Sequence, residues 1–209
     1  MLLLIKKDLA IHKLSWLLYF AMLVFFMSFN KDIIFVIALI SAIIIMNTFY
    51  YDELANGHRL WNTLPFTRKE IVSARYYSLL VNISIVAAVV LLITFIPSTI
   101  FTSPPSLMST WEEVIGSFVV MTISASLFFP LVYKLAEKKS IFTFVILYIL
   151  SVIAGVYGLY YSYDYLIRSS VITPSSIGLF WGMLAASSFI FYLLSWGLSL
   201  RIYKAKEIL

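Results

Sequence analysis

The chain has 209 residues, 62% hydrophobic and 12% charged, with mean hydropathy +0.99 and formal net charge +5. Ordinary soluble domains carry about 25% charged residues, so the balance excludes that class. Zero cysteines exclude disulfides, thiol catalysis and cysteine-ligated metals.

At the N-terminal end, Leu2, Ile5 and Leu9 recur at helical spacing, with Lys6 and Lys13 seven apart on another face. The pattern predicts a short amphipathic helix on the inner leaflet, either anchoring the first span or offering a lateral entrance to a lipid-soluble substrate. Lys6 and Lys7 precede an apolar run as in a secretory signal. Met27-Ser28-Phe29-Asn30 is a poor cleavage site, so an uncleaved first span is expected.

Uncharged runs then cover 14–30, 33–51, 76–111, 114–133, 140–163 and 169–200. A helix needs about 20 apolar residues to cross a ~30 Å hydrocarbon core. Pro97, Pro104, Pro105 and Pro174 trim the longest runs, leaving spans at 14–30, 33–51, 76–96, 114–133, 140–161 and 177–200. These runs are continuously apolar, whereas barrel strands would alternate. The expected fold is an all-α integral membrane protein, one transmembrane domain over 1–209 with six transmembrane helices. Pro130 is expected to kink the fourth helix.

With six spans, thirteen Lys and Arg residues fall on the side of the termini and of the 52–75 and 134–139 loops; only Lys31 and Arg168 fall opposite. The bias places both termini in the cytoplasm. It accounts for the net charge without nucleic acid.

The polar stretch between the second and third spans carries Arg59, Arg68, Lys69 and Arg75. Leu54, Trp61 and Leu64 lie on one side of a short surface helix. Pro65 disfavours helix at Leu64, and a new helix is expected from Arg68. Thr67-Arg68-Lys69-Glu70 is a capping box, with Phe66 and Ile71 placed for a hydrophobic staple. Such a segment is a docking element for a soluble partner.

On the outer side, Thr110-Trp111-Glu112-Glu113 repeats the capping pattern at the start of the fourth span. Tyr157, Tyr160, Tyr161, Tyr163 and Tyr165 crowd the outer boundary as an aromatic belt. Gly178, Gly182 and Ala186, four apart on one face of the sixth helix, permit close packing, expected within the subunit, with a dimer seam as the alternative. Asn47 and Asn82 are expected to bridge helices.

No Asp, Glu, Lys, Arg or His falls inside the six trimmed spans. Ion-driven carriers and intramembrane proteases place ionisable groups there, so a secondary carrier or an enzyme is disfavoured. The two histidines, His12 and His58, build neither a zinc site nor a hydrolase, and His58 reads as a solvated loop residue. No phosphate-binding Gly-x-x-x-x-Gly-Lys-[Ser/Thr] motif is present, so energy for transport would have to come from a separate ATPase.

The loop resembles that of the ABC-2 type permeases, the membrane subunits of a class of ABC exporters. The matching elements are Glu53, Gly57 and Leu60, then Leu64, Pro65, Thr67, Arg68, Lys69, Glu70 and Ile71, and the basic-aromatic entry Arg75-Tyr76. The resemblance implies a coupling helix, with Trp61 as a further apolar contact, seating in an ABC ATPase subunit that holds the ATP and magnesium. It also implies pairing with a second permease chain, identical or homologous, in a bacterial plasma membrane. In plan the chain resembles small bacterial members that export amphipathic peptides or confer peptide-antibiotic resistance, such as the phenol-soluble modulin exporter permeases. The alternative is a non-transporting immunity or sensor-associated subunit that uses the same loop to hold a regulator.

Overall fold

The computed structural model describes residues 2–13, 15–29, 32–54, 67–94, 108–135, 141–169, 173 and 175–205. Among them are seven helices and no strand: α1 (Leu2–Ile11), α2 (Trp16–Ser28), α3 (Ile33–Leu54), α4 (Arg68–Thr94), α5 (Thr110–Leu135), α6 (Ile141–Arg168) and α7 (Ile177–Ala205). The five from α3 to α7 are each long and apolar enough to cross a membrane.

The expected first span, 14–30, is shorter in the structure. The 13 residues of α2 rise about 20 Å, less than a ~30 Å core. α1 and α2 together satisfy the length and composition of a span, but they are bent by 65°. They make a sixth crossing only as one broken span.

α3 is apolar on every side, so it can be buried on every side. Ile34, Val36, Ile37, Ala38, Ala42 and Ile44 are wholly enclosed. It packs against α4, α5 and α6, while α5 also packs against α6 and α7. α4 bridges α3 and α7, α1 lies on α4 and α3, and α2 leans on α3. α6 and α7 turn large apolar side chains outward, among them Leu150, Leu179, Phe191 and Leu194.

The face that α1 buries differs from the sequence expectation. Leu4, Asp8 and His12, at i, i+4 and i+8, are enclosed, while Ile5 and Leu9 are only half-buried. Asp8 and His12 find polar partners on α2, α3 and α4, so the helix docks on the bundle through them.

Gly116 marks a close helix crossing: a Cβ there would lie 2.7 Å from Ile34 Cδ1 and 3.4 Å from Trp181 Cη2. Gly178 and Gly182 behave otherwise. No atom comes within 4 Å of their Cβ positions, and Ala186 is exposed, so this stripe does not pack within the subunit as expected. The reason is that α7 is oriented by another face, about 100° round the helix, which buries Trp181, Ser188, Tyr192, Ser195, Ser199 and Tyr203.

α5 runs on through Pro130 to Leu135. Proline has no N–H, so the carbonyl four residues earlier, that of Ser126, loses its intrahelical donor. Ser195 Oγ of α7 supplies the replacement at 2.8 Å. Having spent its only proton there, Ser195 accepts from the Tyr76 hydroxyl at 2.8 Å, and Tyr76 in turn accepts from Ser199 at 2.8 Å. The relay ties α4, α5 and α7 across the break.

At the opposite end the cap of α5 is Ser109, one residue before the expected Thr110. Ser109 Oγ donates to Glu112 Oε2 at 2.7 Å, and the Ser109 amide donates to the same oxygen. The shift frees Glu112 Oε1 for the Tyr163 hydroxyl at 2.9 Å and the Trp181 indole at 3.2 Å. Tyr163 therefore belongs to the core, and only Tyr157, Tyr161 and Tyr165, four apart on α6, stand in the exposed belt.

Candidate functional site

Residues 55–66 connect the last turn of α3 to the first turn of α4, so the geometry of those two turns sets how the connection is held. The start of α4 is the predicted capping box. The Thr67 amide donates to Glu70 Oε2 at 2.9 Å, and the Glu70 amide donates to Thr67 Oγ1 at 3.2 Å. The Thr67 hydroxyl adds a second donor to the carboxylate at 2.9 Å. The Thr67 amide and hydroxyl hold the Glu70 carboxyl below its ordinary pKa range. Arg68 Nη1 reaches the carbonyl of Lys204 at 2.7 Å, which rests this corner on the end of α7. α4 then carries its charges in the two turns Arg68–Arg75, and the uncharged run begins at Tyr76.

The other predicted coupling residues divide by position. Glu53 lies in the last turn of α3. Gly57, Leu60, Trp61, Leu64 and Pro65, together with His58 and the staple residue Phe66, lie outside the described residues.

Immediately behind the two turns the structure assembles a charge cluster that sequence reading did not find. Asp52, near the end of α3, accepts from Lys7 Nζ of α1 at 2.8 and 3.1 Å. Arg75 of α4 pairs with the same aspartate through Nη2, and its Nη1 lies 3.3 Å from Asp8 Oδ2. Lys7 also reaches Asp8 Oδ1 at 3.0 Å, and Ser78 Oγ donates to Asp8 Oδ2 at 2.8 Å. Below the guanidinium lies the Phe49 ring, 4.9 Å from its centroid. Two acids and two bases thus neutralise one another in a site where the Asp8 side chain is 4% exposed and that of Arg75 11%. A lone charge so enclosed would be costly, which obliges the four to stay together.

A separate neutral relay joins His12 to α2 and α3. Thr48 donates its hydroxyl proton to the Ile44 carbonyl at 2.9 Å, so it accepts from His12 Nε2 at 2.7 Å. That assigns the proton of a neutral His12 to Nε2 and leaves Nδ1 to accept from the Tyr19 hydroxyl at 3.1 Å. Tyr19 accepts in turn from Asn47 Nδ2 at 2.9 Å. The predicted bridging role of Asn47 is realised between α3 and α2.

These bonds clamp both feet of the 55–66 connection to α1. Moving either helix end alone would separate Asp52 or Arg75 from its charged partners. This is a mechanical arrangement and needs no bond-making chemistry.

Residues 3–204 match the profile of the family described as ABC-2 family transporter protein. No curated protein and no solved structure matches the chain. Five helices long and apolar enough to cross a membrane fit a membrane subunit, and with the match spanning nearly its whole length the chain belongs to the ABC-2 transporter family, as a multi-pass permease subunit of an ABC transporter, which implies an ABC ATPase as its partner.

Proposed function

We propose that this permease exports amphipathic peptides or peptide antibiotics from a bacterial cell, with the 52–75 loop as the seat of its ATPase. In this reading the chain crosses the plasma membrane six times, the bent α1–α2 pair forming the first crossing, and both termini are cytoplasmic. Two permease chains pair around the path. Glu53, Gly57, Leu60, Trp61, Leu64 and Pro65 form the docking surface, and Thr67, Arg68 and Glu70 form the corner that turns it into α4. ATP and magnesium belong to the partner subunit.

The observation that carries the coupling role is the clamp on both feet of the loop by Lys7, Asp8, Asp52 and Arg75. A loop that only tethered a regulator would not need a buried charge network spanning three helices behind it. The uncharged interiors of the long helices support an amphipathic cargo, since a small hydrophilic ion would meet no compensating charge.

Co-purification tests the seat. The permease is expected to retain its ATPase through affinity purification, and Trp61→Ala is expected to lose it, since buried aromatic anchors contribute about 2 kcal/mol or more to an interface. Full retention by Trp61→Ala, with unchanged hydrolysis, would place the seat elsewhere.

A further inference from the structure

Between α4 and α7 the surface opens into a shallow cleft lined mostly by apolar and aromatic side chains. Its floor is formed by Tyr76 and Tyr192, both buried, and their hydroxyls are already engaged: Tyr192 donates to the Tyr76 carbonyl at 2.7 Å, and Tyr76 joins the serine relay. Its walls are Tyr77 and Leu80 from α4 and Phe189 and Leu193 from α7; the rings of Tyr77 and Phe189 are about half exposed. Trp196 closes one end, its indole donating to Ser73 Oγ at 3.1 Å. With the Tyr76, Tyr192 and Trp196 donors engaged, the cleft offers an occupant mainly apolar and aromatic contact.

The end closed by Trp196 points at positive charge. Lys69 is seven residues before Tyr76 and eleven before Leu80, which puts it within about 20° of both on the helix wheel. Lys204 is eleven residues after Leu193 and shares its face by the same arithmetic. Both lysines are exposed, and the Arg68–Lys204 bond shows that the two helix ends lie side by side. Lys69 lies about 10 Å along α4 from Tyr76, and Lys204 about 12 Å along α7 from Trp196, at 1.5 Å per residue. That is an apolar slot on the flank of a membrane helix pair, with two ammonium groups where the hydrocarbon ends.

We propose that this cleft binds an anionic phospholipid, one acyl chain lying along Tyr76, Tyr192 and Leu193 and the headgroup phosphate meeting Lys69 and Lys204. Charge complementarity selects the occupant: a zwitterionic lipid fills the same slot but gains less from two lysines, each contributing about fivefold in affinity for an anionic surface. The site is independent of which cargo the permease moves and of which way it faces, because it requires only that the basic ends of α4 and α7 sit at one leaflet.

The test uses the full chain in phosphatidylcholine vesicles containing brominated phosphatidylglycerol or brominated phosphatidylcholine, bromine being a contact quencher of tryptophan. The anionic lipid is expected to quench, at low mole fraction, a component of the emission that vanishes in Trp196→Phe. The Lys69→Ala and Lys204→Ala variants, both surface changes that leave the core intact, should each raise the lipid fraction for half-quenching about fivefold. Equal quenching by the two lipids, or a preference that survives both lysine substitutions, would overturn the site. So would a disulfide dimer through Leu193→Cys, the chain's sole cysteine in that variant, with no Trp196 quenching by either lipid, since a second copy would then cover the cleft.

Discussion

Replacing Arg75 by alanine separates the charge cluster into parts that cannot neutralise one another. Asp52 keeps Lys7, but Asp8 must share that one ammonium with it while remaining 4% exposed. Breaking a buried pair by removing one partner costs about 3–5 kcal/mol, because the other charge stays buried. In a chain of this length each kcal/mol moves the midpoint about 2–4 °C, so Arg75→Ala should unfold roughly 10 °C below wild type. Thermal unfolding of the purified permease, followed by circular dichroism, reads this directly. Asp8→Asn removes the stranded charge and keeps a partner for Ser78, so the double variant should regain much of the loss. Unfolding of Arg75→Ala at the wild-type temperature, or strict addition of the two losses, would mean that the four groups do not act as one network.

Ser195→Ala orphans the Ser126 carbonyl and should cost about 1–3 kcal/mol, whereas in a Pro130→Ala background, where the helix can supply its own donor, it should cost much less; equal costs in both backgrounds would refute the repair of the proline break. Thr67→Ala combined with Glu70→Ala should leave membrane insertion intact and weaken retention of the ATPase, read by co-purification, and unchanged binding and export would remove the corner from the coupling path. The Glu70 carboxyl sits below its ordinary pKa, so its capping contribution is present at neutral pH and is lost as the pH falls through that lowered value, an acid sensitivity that Glu70→Gln should not show. Glu112→Gln changes a charged acceptor for four donors into a neutral amide and should lower the thermal midpoint, while Tyr163→Phe, which removes one of the four, should lower it less.

How far the sequence disclosed these features follows from how far apart the participating residues are. The capping box at Thr67 was legible because donor and acceptor are three residues apart and the box needs no tertiary partner. The box on α5 was legible only to within one residue, because Ser109 and Thr110 can each cap and Glu112 and Glu113 can each reply. What selected Ser109 is tertiary: it leaves Glu112 turned toward Tyr163 and Trp181, and Glu113 toward the Ile33 amide at 3.2 Å. The charge cluster was invisible for the same reason. Lys7, Asp8, Asp52 and Arg75 come from three helices, and counted singly each looks like a solvated flanking charge that helps set orientation. The outward turn of Gly178 and Gly182 was likewise unreadable, since small residues permit close packing without requiring it, and the larger Trp181, Tyr192 and Tyr203 decide which face of α7 is buried.

The central claim is that the clamped loop couples a separate ATPase to the movement of amphipathic peptides. Its most direct test is ATP hydrolysis by permease and ATPase reconstituted together in proteoliposomes, titrated with cationic and anionic amphipathic peptides and, in parallel, with sugars and amino acids. The account predicts stimulation by the peptides, and loss of that stimulation in Arg75→Ala at a temperature where the variant remains folded. Stimulation by the hydrophilic compounds alone would contradict the cargo, and a flat response to every compound would favour a subunit that holds a regulator without transporting.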